Sequence, residues 1–215
     1  MHNKFCITDG QKISTGSMNP TFNDAHKNNN NLLIIKSNYL AGNYEAEFQE
    51  LWQGIFKKGD KVKYPEIILS GIRLENYFCP DDSCIKQVVG ELKQAQQSIY
   101  FMTFSFTSKD IANILLLKNL EDIEIKGVME TKQISEHSQF ERLKTNGVNV
   151  IKDSNPHNLH HKVFIIDNST IITGSFNPTK GGDTRNDENI LIIHNREIAE
   201  LFLQEFQRLY TKNAE

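Results

Sequence analysis

Long apolar runs are missing from this chain: its longest, such as Ile114–Leu117 and Ile190–Ile193, have four residues, against the ~18 that a membrane-spanning helix needs. No transmembrane helix is expected. Charge of one sign is not in excess either. With 24 Lys and Arg against 27 Asp and Glu, the net charge is -3, which provides no general attraction to nucleic acid or anionic lipid and leaves room only for a local basic cleft. Cysteine is scarce, at three residues. Cys6 lies in an apolar strand, while Cys79 and Cys84 bracket Pro80-Asp81-Asp82-Ser83 and are read as separate thiols, with a local disulfide as the alternative. Two cysteines alone do not make a zinc site, so no metal and no cofactor is expected. No leader is expected within this sequence either, since His2 follows Met1 directly and neither a signal peptide nor a transit peptide is read. What remains is ordinary for a globular protein of one domain or two small ones, with 38% apolar and 24% charged residues.

Against that plain background one pattern stands out. His160, Lys162, Asp167, Gly174, Ser175 and Asn177 form H-x-K-x4-D-x6-G-S-x-N. Six fixed residue types at fixed spacing match a random chain of this length with a probability of about one in a million. The pattern occurs twice. His2, Lys4, Asp9, Gly16, Ser17 and Asn19 repeat it at an offset of 160 − 2 = 158, without a gap from Met1/Leu159 to Leu51/Leu209. The alignment also keeps Ile7/Ile165, Ile13/Ile171, Thr15/Thr173, Pro20/Pro178, Asn31/Asn189 and Glu47-Phe48-Gln49/Glu205-Phe206-Gln207. This is an internal duplication.

With both copies in view, the sequence resembles the phospholipase D superfamily, whose members unite two such motifs in one phosphodiester-cleaving site. The resemblance implies an α/β fold, a phospholipase D-like mixed β-sheet flanked by helices, in pseudo-twofold duplicated lobes with the first lobe incomplete. Residues 1–75 are read as the C-terminal part of a first lobe and 76–215 as a complete second lobe. About 80 residues of strand and helix signals precede His160 from Tyr77 onward, whereas only Met1 precedes His2. The expectation is therefore an N-terminally truncated relative of a two-lobed protein, with Met1 an internal methionine taken as a start. An unpaired apolar sheet edge in such a lobe would favour self-association.

Element signals run through the chain. Asn3 to Thr8 and Lys12 to Thr15 read as strands joined at Asp9-Gly10, Gly16 to Asn30 as a polar site loop, Leu32 to Lys36 as a strand, and Ser37 or Asn38 as the cap of a helix. Ile67 to Leu69 and Ile72 to Phe78 flank Ser70-Gly71 as a hairpin. Asp81 or Asp82 is expected to cap a helix to about Gln96, followed by a strand to Phe104 and a helix opening at Thr107-Ser108. Ser135 to Thr145 is read as a helix, and Asn195 as the cap of the last one. Strands alternating with helices lead to a mixed, mainly parallel sheet.

The motif residues suit phosphodiester chemistry. Histidine and lysine two apart on a strand project from one face. Imidazole supplies a nucleophile or acid, and ammonium and carboxamide hold phosphate oxygens. Carried over from the resemblance, His2 and His160 are the catalytic pair and Lys4, Lys162, Asn19 and Asn177 the phosphate clamp. Asp9 and Asp167 are assigned to turns or to the fold, and Ser17 and Ser175 to orienting loops or histidines. The resemblance also puts the group that holds the outer imidazole nitrogen 28 residues after each histidine, at Glu188 and Asn30. Read within each copy, Glu188 serves His160, which rests protonated as the acid, and Asn30 serves His2, which rests neutral as the nucleophile. His161 points to the opposite strand face, and His26, His137 and His194 are read as solvated. The implied activity is hydrolysis of a phospholipid through a phosphohistidine. A nuclease acting on DNA or RNA, a phosphatidyltransferase and an inactive binding module are the alternatives.

Overall fold

The computed structural model describes residues 1–214. In chain order the elements are β1 (Phe5–Thr8), β2 (Lys12–Gly16), α1 (Phe22–His26), β3 (Leu32–Lys36), α2 (Asn38–Trp52), β4 (Glu66–Leu69), β5 (Ile72–Cys79), α3 (Cys84–Leu92), β6 (Ser98–Thr103) and α4 (Lys109–Leu120). They continue with β7 (Glu124–Met129), α5 (Phe140–Thr145), β8 (Asn149–Lys152), β9 (Lys162–Ile166), β10 (Thr170–Gly174), α6 (Lys180–Thr184), β11 (Glu188–His194) and α7 (Arg196–Ala214). Two sheets result, one of three strands in the order β1-β2-β3 and one of eight in the order β4-β5-β11-β10-β9-β6-β7-β8.

The larger sheet is mixed, but the expectation of a mainly parallel one is corrected. Only the β6–β7 and β7–β8 pairs are parallel, because every other neighbour is reached by a hairpin or by the return of β9 and β11 along existing edges. Strand β4 and the start of β5 join this sheet, although they fall on the first-unit side of the boundary read at residue 75.

Side-chain alternation decides the layers. Along β9, Phe164 and Ile166 face a core with Val88 and Leu92 of α3, Ile111 and Leu115 of α4, and Phe140 and Leu143 of α5. Val163 and Ile165 face the other way, onto Phe202, Leu203 and Phe206 of α7 and, across the molecule, Leu40 and Tyr44 of α2. Each such side chain contributes about 1.5–3 kcal/mol by leaving water. In the first sheet the positions equivalent to Phe164, Ile166, Ile172, Ile190 and Ile192 are Cys6, Thr8, Ser14, Leu32 and Ile34. Three are polar or small, and Leu32 and Ile34 are 50% and 71% exposed. The duplicated strands thus share a backbone but not a covered outer face.

Local chemistry explains most of the boundaries. Ser37 caps α2 through Leu40 N, and Asn195 Oδ1 accepts from Ile198 N at the head of α7. Helix α3 departs from expectation: it begins at Cys84, and Asp82 accepts instead from Phe78 N and Val62 N, tying the β5 end to the segment between α2 and β4. Cys79 and Cys84 are joined in a disulfide across this turn, with Cα atoms 5.7 Å apart, which corrects the reading of two separate thiols. The helix expected over Ser135 to Thr145 is helical only as α5, from Phe140. Each site loop contains one turn of helix, α1 or α6, capped by Thr21 or Thr179. No helix among the described residues is long and apolar enough to cross a membrane.

Candidate active site

The two motifs meet because each docks onto the loop of the other. His2 N donates to Asp187 O at 2.9 Å, and His160 N donates to Asn29 O at 2.7 Å. These two bonds are equivalent under the 158-residue offset, so the internal repeat is a pseudo-twofold in space. Beneath them runs a crossed set of side-chain bonds. Asn189 Nδ2 donates to Asn3 Oδ1 at 2.9 Å, and Asn31 Nδ2 approaches His161 Nδ1 at 3.1 Å. Thr15 donates to Asn189 Oδ1 and Thr173 to Asn31 Oδ1, both at 2.9 Å. His161, buried between Asn31 and Glu205, belongs to this web and not to the site. Of these positions, His2/His160, Thr15/Thr173, Asn31/Asn189 and Glu47/Glu205 are kept in the internal alignment, which is the available signal for them, whereas Asn3/His161 and Asn29/Asp187 are not.

Turn geometry places the rest. Gly16 and Gly174 have φ of 140° and 143°, and a Cβ at either would strike the carbonyl of Asn31 or Asn189. Only glycine lets the chain pass so close to the neighbouring strand. Ser17 and Ser175 follow, each accepting from the backbone N–H of Asn31 or Asn189 at 3.0 and 2.9 Å. Asp167 accepts from the N–H groups of Gln96, Gln97 and Ser98, pinning β9 to the start of β6. Asp9 sits in the exposed turn between β1 and β2.

Around the histidines the two halves part company. Glu188, wholly buried, lies 2.7 and 2.8 Å from His2 Nδ1 through its two oxygens, and also accepts from Ser175 Oγ at 2.6 Å and Asn186 Nδ2 at 3.1 Å. The pairing of Glu188 with His160 is therefore corrected: docking is crossed, so each loop's end lies beside the histidine of the other copy. Asn30 serves neither ring. Its amide donates to Asp24 O at 2.7 Å. The side chain near His160 is Asp24, whose Oδ2 is 3.5 Å from His160 Nδ1. Sequence reasoning missed Asp24 because its counterpart at 24 + 158 = 182 is glycine.

A carboxylate only accepts and an ammonium only donates. His2 has Glu188 at Nδ1 and Lys4 Nζ 3.0 Å from Nε2, so the proton resides on Nδ1 and the lone pair on Nε2. Lys4 Nζ also donates to His2 O at 2.8 Å, and Lys162 Nζ to His160 O at 2.9 Å. Burial pushes both ammonium groups below their usual value, against the pull of Glu188 and Asp24. His160 is pushed down to about 3, first by burial and then by Lys162, with Asp24 acting in the opposite direction, which corrects the expectation that this ring rests protonated in the free protein. Phe104 walls off this half, with its ring 4.9 Å from that of His160 and 5.0 Å from Lys162 Nζ. Asn177 Oδ1 is buried without a partner among the described residues, leaving its amide free to turn toward a ligand. Asn19 closes the other side, with its N–H donating to Asp24 Oδ2 at 2.5 Å.

The family described as "Cardiolipin synthase, PLD-like domain" matches residues 1–52 and 88–210, which hold both motifs. This chain belongs to the phospholipase D-like family. A protein named phospholipase D from Rickettsia prowazekii is 32% identical over 148 residues, covering 68% of this chain and 72% of the relative. Mitochondrial cardiolipin hydrolase of Xenopus laevis is 31% identical over 136 residues, covering 61% and 65%. Among solved structures, the phospholipase D family member Nuc from Salmonella typhimurium superposes with a TM-score of 0.63 at 30% identity, over 66% of this chain and 96% of that one. The phospholipase D-like chain described here is accordingly a phosphodiester hydrolase with a mixed α/β fold.

Proposed function

We propose that this phospholipase D-like protein hydrolyses phospholipids in two steps through a phosphohistidine on His2. The reading is carried by the crossed pair of His2 and Glu188, which presents a lone pair on Nε2 and a carboxylate behind Nδ1. His2 Nε2 attacks phosphorus, the phosphorus–oxygen bond to the alcohol breaks, and the leaving oxygen takes a proton from His160. The ring of His2 becomes cationic in that step, and Glu188 compensates the new charge. Water then gives a proton back to His160 and attacks phosphorus, which frees His2 and a phosphate monoester. Lys4, Lys162, Asn19 and Asn177 hold the non-bridging oxygens throughout.

Three observations support a lipid. The matching family and relatives carry lipid names. The net charge of -3 offers no broad basic track for a nucleic-acid backbone. Beside Lys4 and Asn19 opens a groove of about 280 Å³ walled by Phe5, Met18, Pro20 and Leu32, a lining suited to an acyl chain. The test is a parallel assay on labelled cardiolipin, phosphatidylcholine, single-stranded DNA and RNA. Release of a head group or lysis of cardiolipin to phosphatidate is expected, and cleavage confined to the nucleic acids would overturn the lipid assignment.

A further inference from the structure

We infer that Asp24 is the positioning residue for His160, filling the task that Asn30, at the position equivalent to Glu188, does not perform. The inference rests on His160 acting as the acid in the mechanism proposed above.

Under the pseudo-twofold, residue 30 stands toward His160 as Glu188 stands toward His2. An amide occupies it, and that amide is turned away, donating to the backbone of the Asp24 turn at 2.7 Å. His160 Nδ1 is buried and makes no hydrogen bond among the described residues. The acidic group nearest it is Asp24, at 3.5 Å and 5% exposed. Asp24 is held firmly: Asn19 N–H donates to Oδ2, Asn28 Nδ2 donates to Oδ1, and Thr21 accepts from its N–H. Burial alone would raise this carboxyl, but the Asn19 and Asn28 bonds leave it below the usual carboxylate range, so it is charged. A buried carboxylate fixed by three residues and aimed at a bare imidazole nitrogen has a clear role there.

That role follows from what an acid needs. His160 must carry a proton when the leaving oxygen departs, yet Lys162, Lys4 and His2 all oppose a positive ring, as does burial. Asp24 pulls the other way and favours the charged ring. A separation of 3.5 Å in the free protein shortens to a hydrogen bond once the ring is charged and phosphate has neutralised the lysines. Asp24 also couples this proton to the clamp, because the same oxygen holds Asn19 in place.

The test separates acid catalysis from loop support by leaving group. For Asp24→Asn, the first turnover of a diester with an alkyl leaving group should slow about 30-fold or more. The burst of nitrophenol from bis(p-nitrophenyl) phosphate, which needs no acid, should stay within about threefold. The alkaline limb of the alkyl reaction should shift to lower pH, because removing Asp24 lowers the His160 pKa. Adding Asn30→Glu to Asp24→Asn should restore the alkyl rate to within about fivefold, with the carboxylate now at the position equivalent to Glu188. Equal loss on both substrates, or an unchanged alkyl rate, would overturn the inference. Should Asp24→Asn fail to fold, the wild-type protein decides: a ¹⁵N NMR titration must show the His160 proton on Nδ1, and a ring protonated on Nε2 alone counts against Asp24. His160→Asn serves as the control. If it abolishes the nitrophenol burst too, the assignment of His160 as acid fails, irrespective of Asp24.

Discussion

Glu188 and His2 are 186 positions apart in the chain and 2.7 Å apart in the fold. The carboxylate is wholly buried, while 35% of the histidine side chain is exposed, so the pair forms a fixed base beneath a reachable nitrogen. Glu188→Gln keeps an acceptor for the Nδ1 proton but removes the charge that offsets a phosphorylated ring. A fall in kcat of about 10–100-fold with KM changed by less than about threefold is expected. Steady-state kinetics on a soluble diester would measure it, and an effect on KM alone would assign Glu188 to binding.

The two histidines should differ in trapping. In His160→Asn, a substrate with a good leaving group should phosphorylate His2, and the intermediate should accumulate because the group that activates water is gone. In His2→Asn no acid-labile phosphoenzyme should form. Peptide mapping of ³²P-labelled protein reads the site, and label on His160 would reverse the roles.

Activity should be insensitive to chelation and sensitive to vanadate. The reaction as derived draws its nucleophile, acid and cations from side chains that converge between the two sheets. Among the described residues, Glu75, Glu91 and His194 form the one group spaced to hold a metal ion, and His194 ends the strand that Glu188 begins, about 20 Å away at 3.3 Å per residue. Glu75 there is already engaged by Arg73 and His194. Incubation with EDTA should leave kcat within about twofold, whereas loss of activity restored by zinc or magnesium would place a metal in the mechanism.

Glu47 and Glu205 occupy equivalent positions yet titrate in opposite directions. Glu205 is brought to about 2: burial opposes this, but Arg208 and His161 prevail. Glu47 is raised to about 8 by burial and by Glu50 and Asp187, and the Asn3 amide that donates to it does not offset this. The folded protein therefore binds a proton at Glu47 that the unfolded chain releases above its usual value of 4.5. This stabilisation is complete below that value and is lost as pH rises through about 8. Between pH 6 and 9 the wild type should lose roughly 2–3 kcal/mol more than Glu47→Gln, which keeps the acceptor for Asn3 and has no proton to lose. Urea unfolding at both pH values tests the difference, and parallel losses would show that Glu47 is ionised in the fold.

Much of this protein could be read along the chain. Duplicated fixed spacings in His2, Lys4, Asn19, His160, Lys162 and Asn177 are local properties, since a strand puts alternate side chains on one face and a Gly-Ser turn brings the asparagine back. The strands themselves were legible from their apolar alternation, and the caps at Ser37 and Asn195 from their side chains. Tertiary structure alone decided which loop serves which histidine. The sequence alignment pairs Glu188 with His160 by counting, but the backbone bonds from His2 to Asp187 and from His160 to Asn29 exchange the loops between the copies. Asp24 was invisible for the same reason, because a carboxylate arriving from another turn leaves no trace in the spacing of a repeat. Hydrogen bonds depend on distance in space, and between residues 186 positions apart that distance is set by packing and not by the order of the chain.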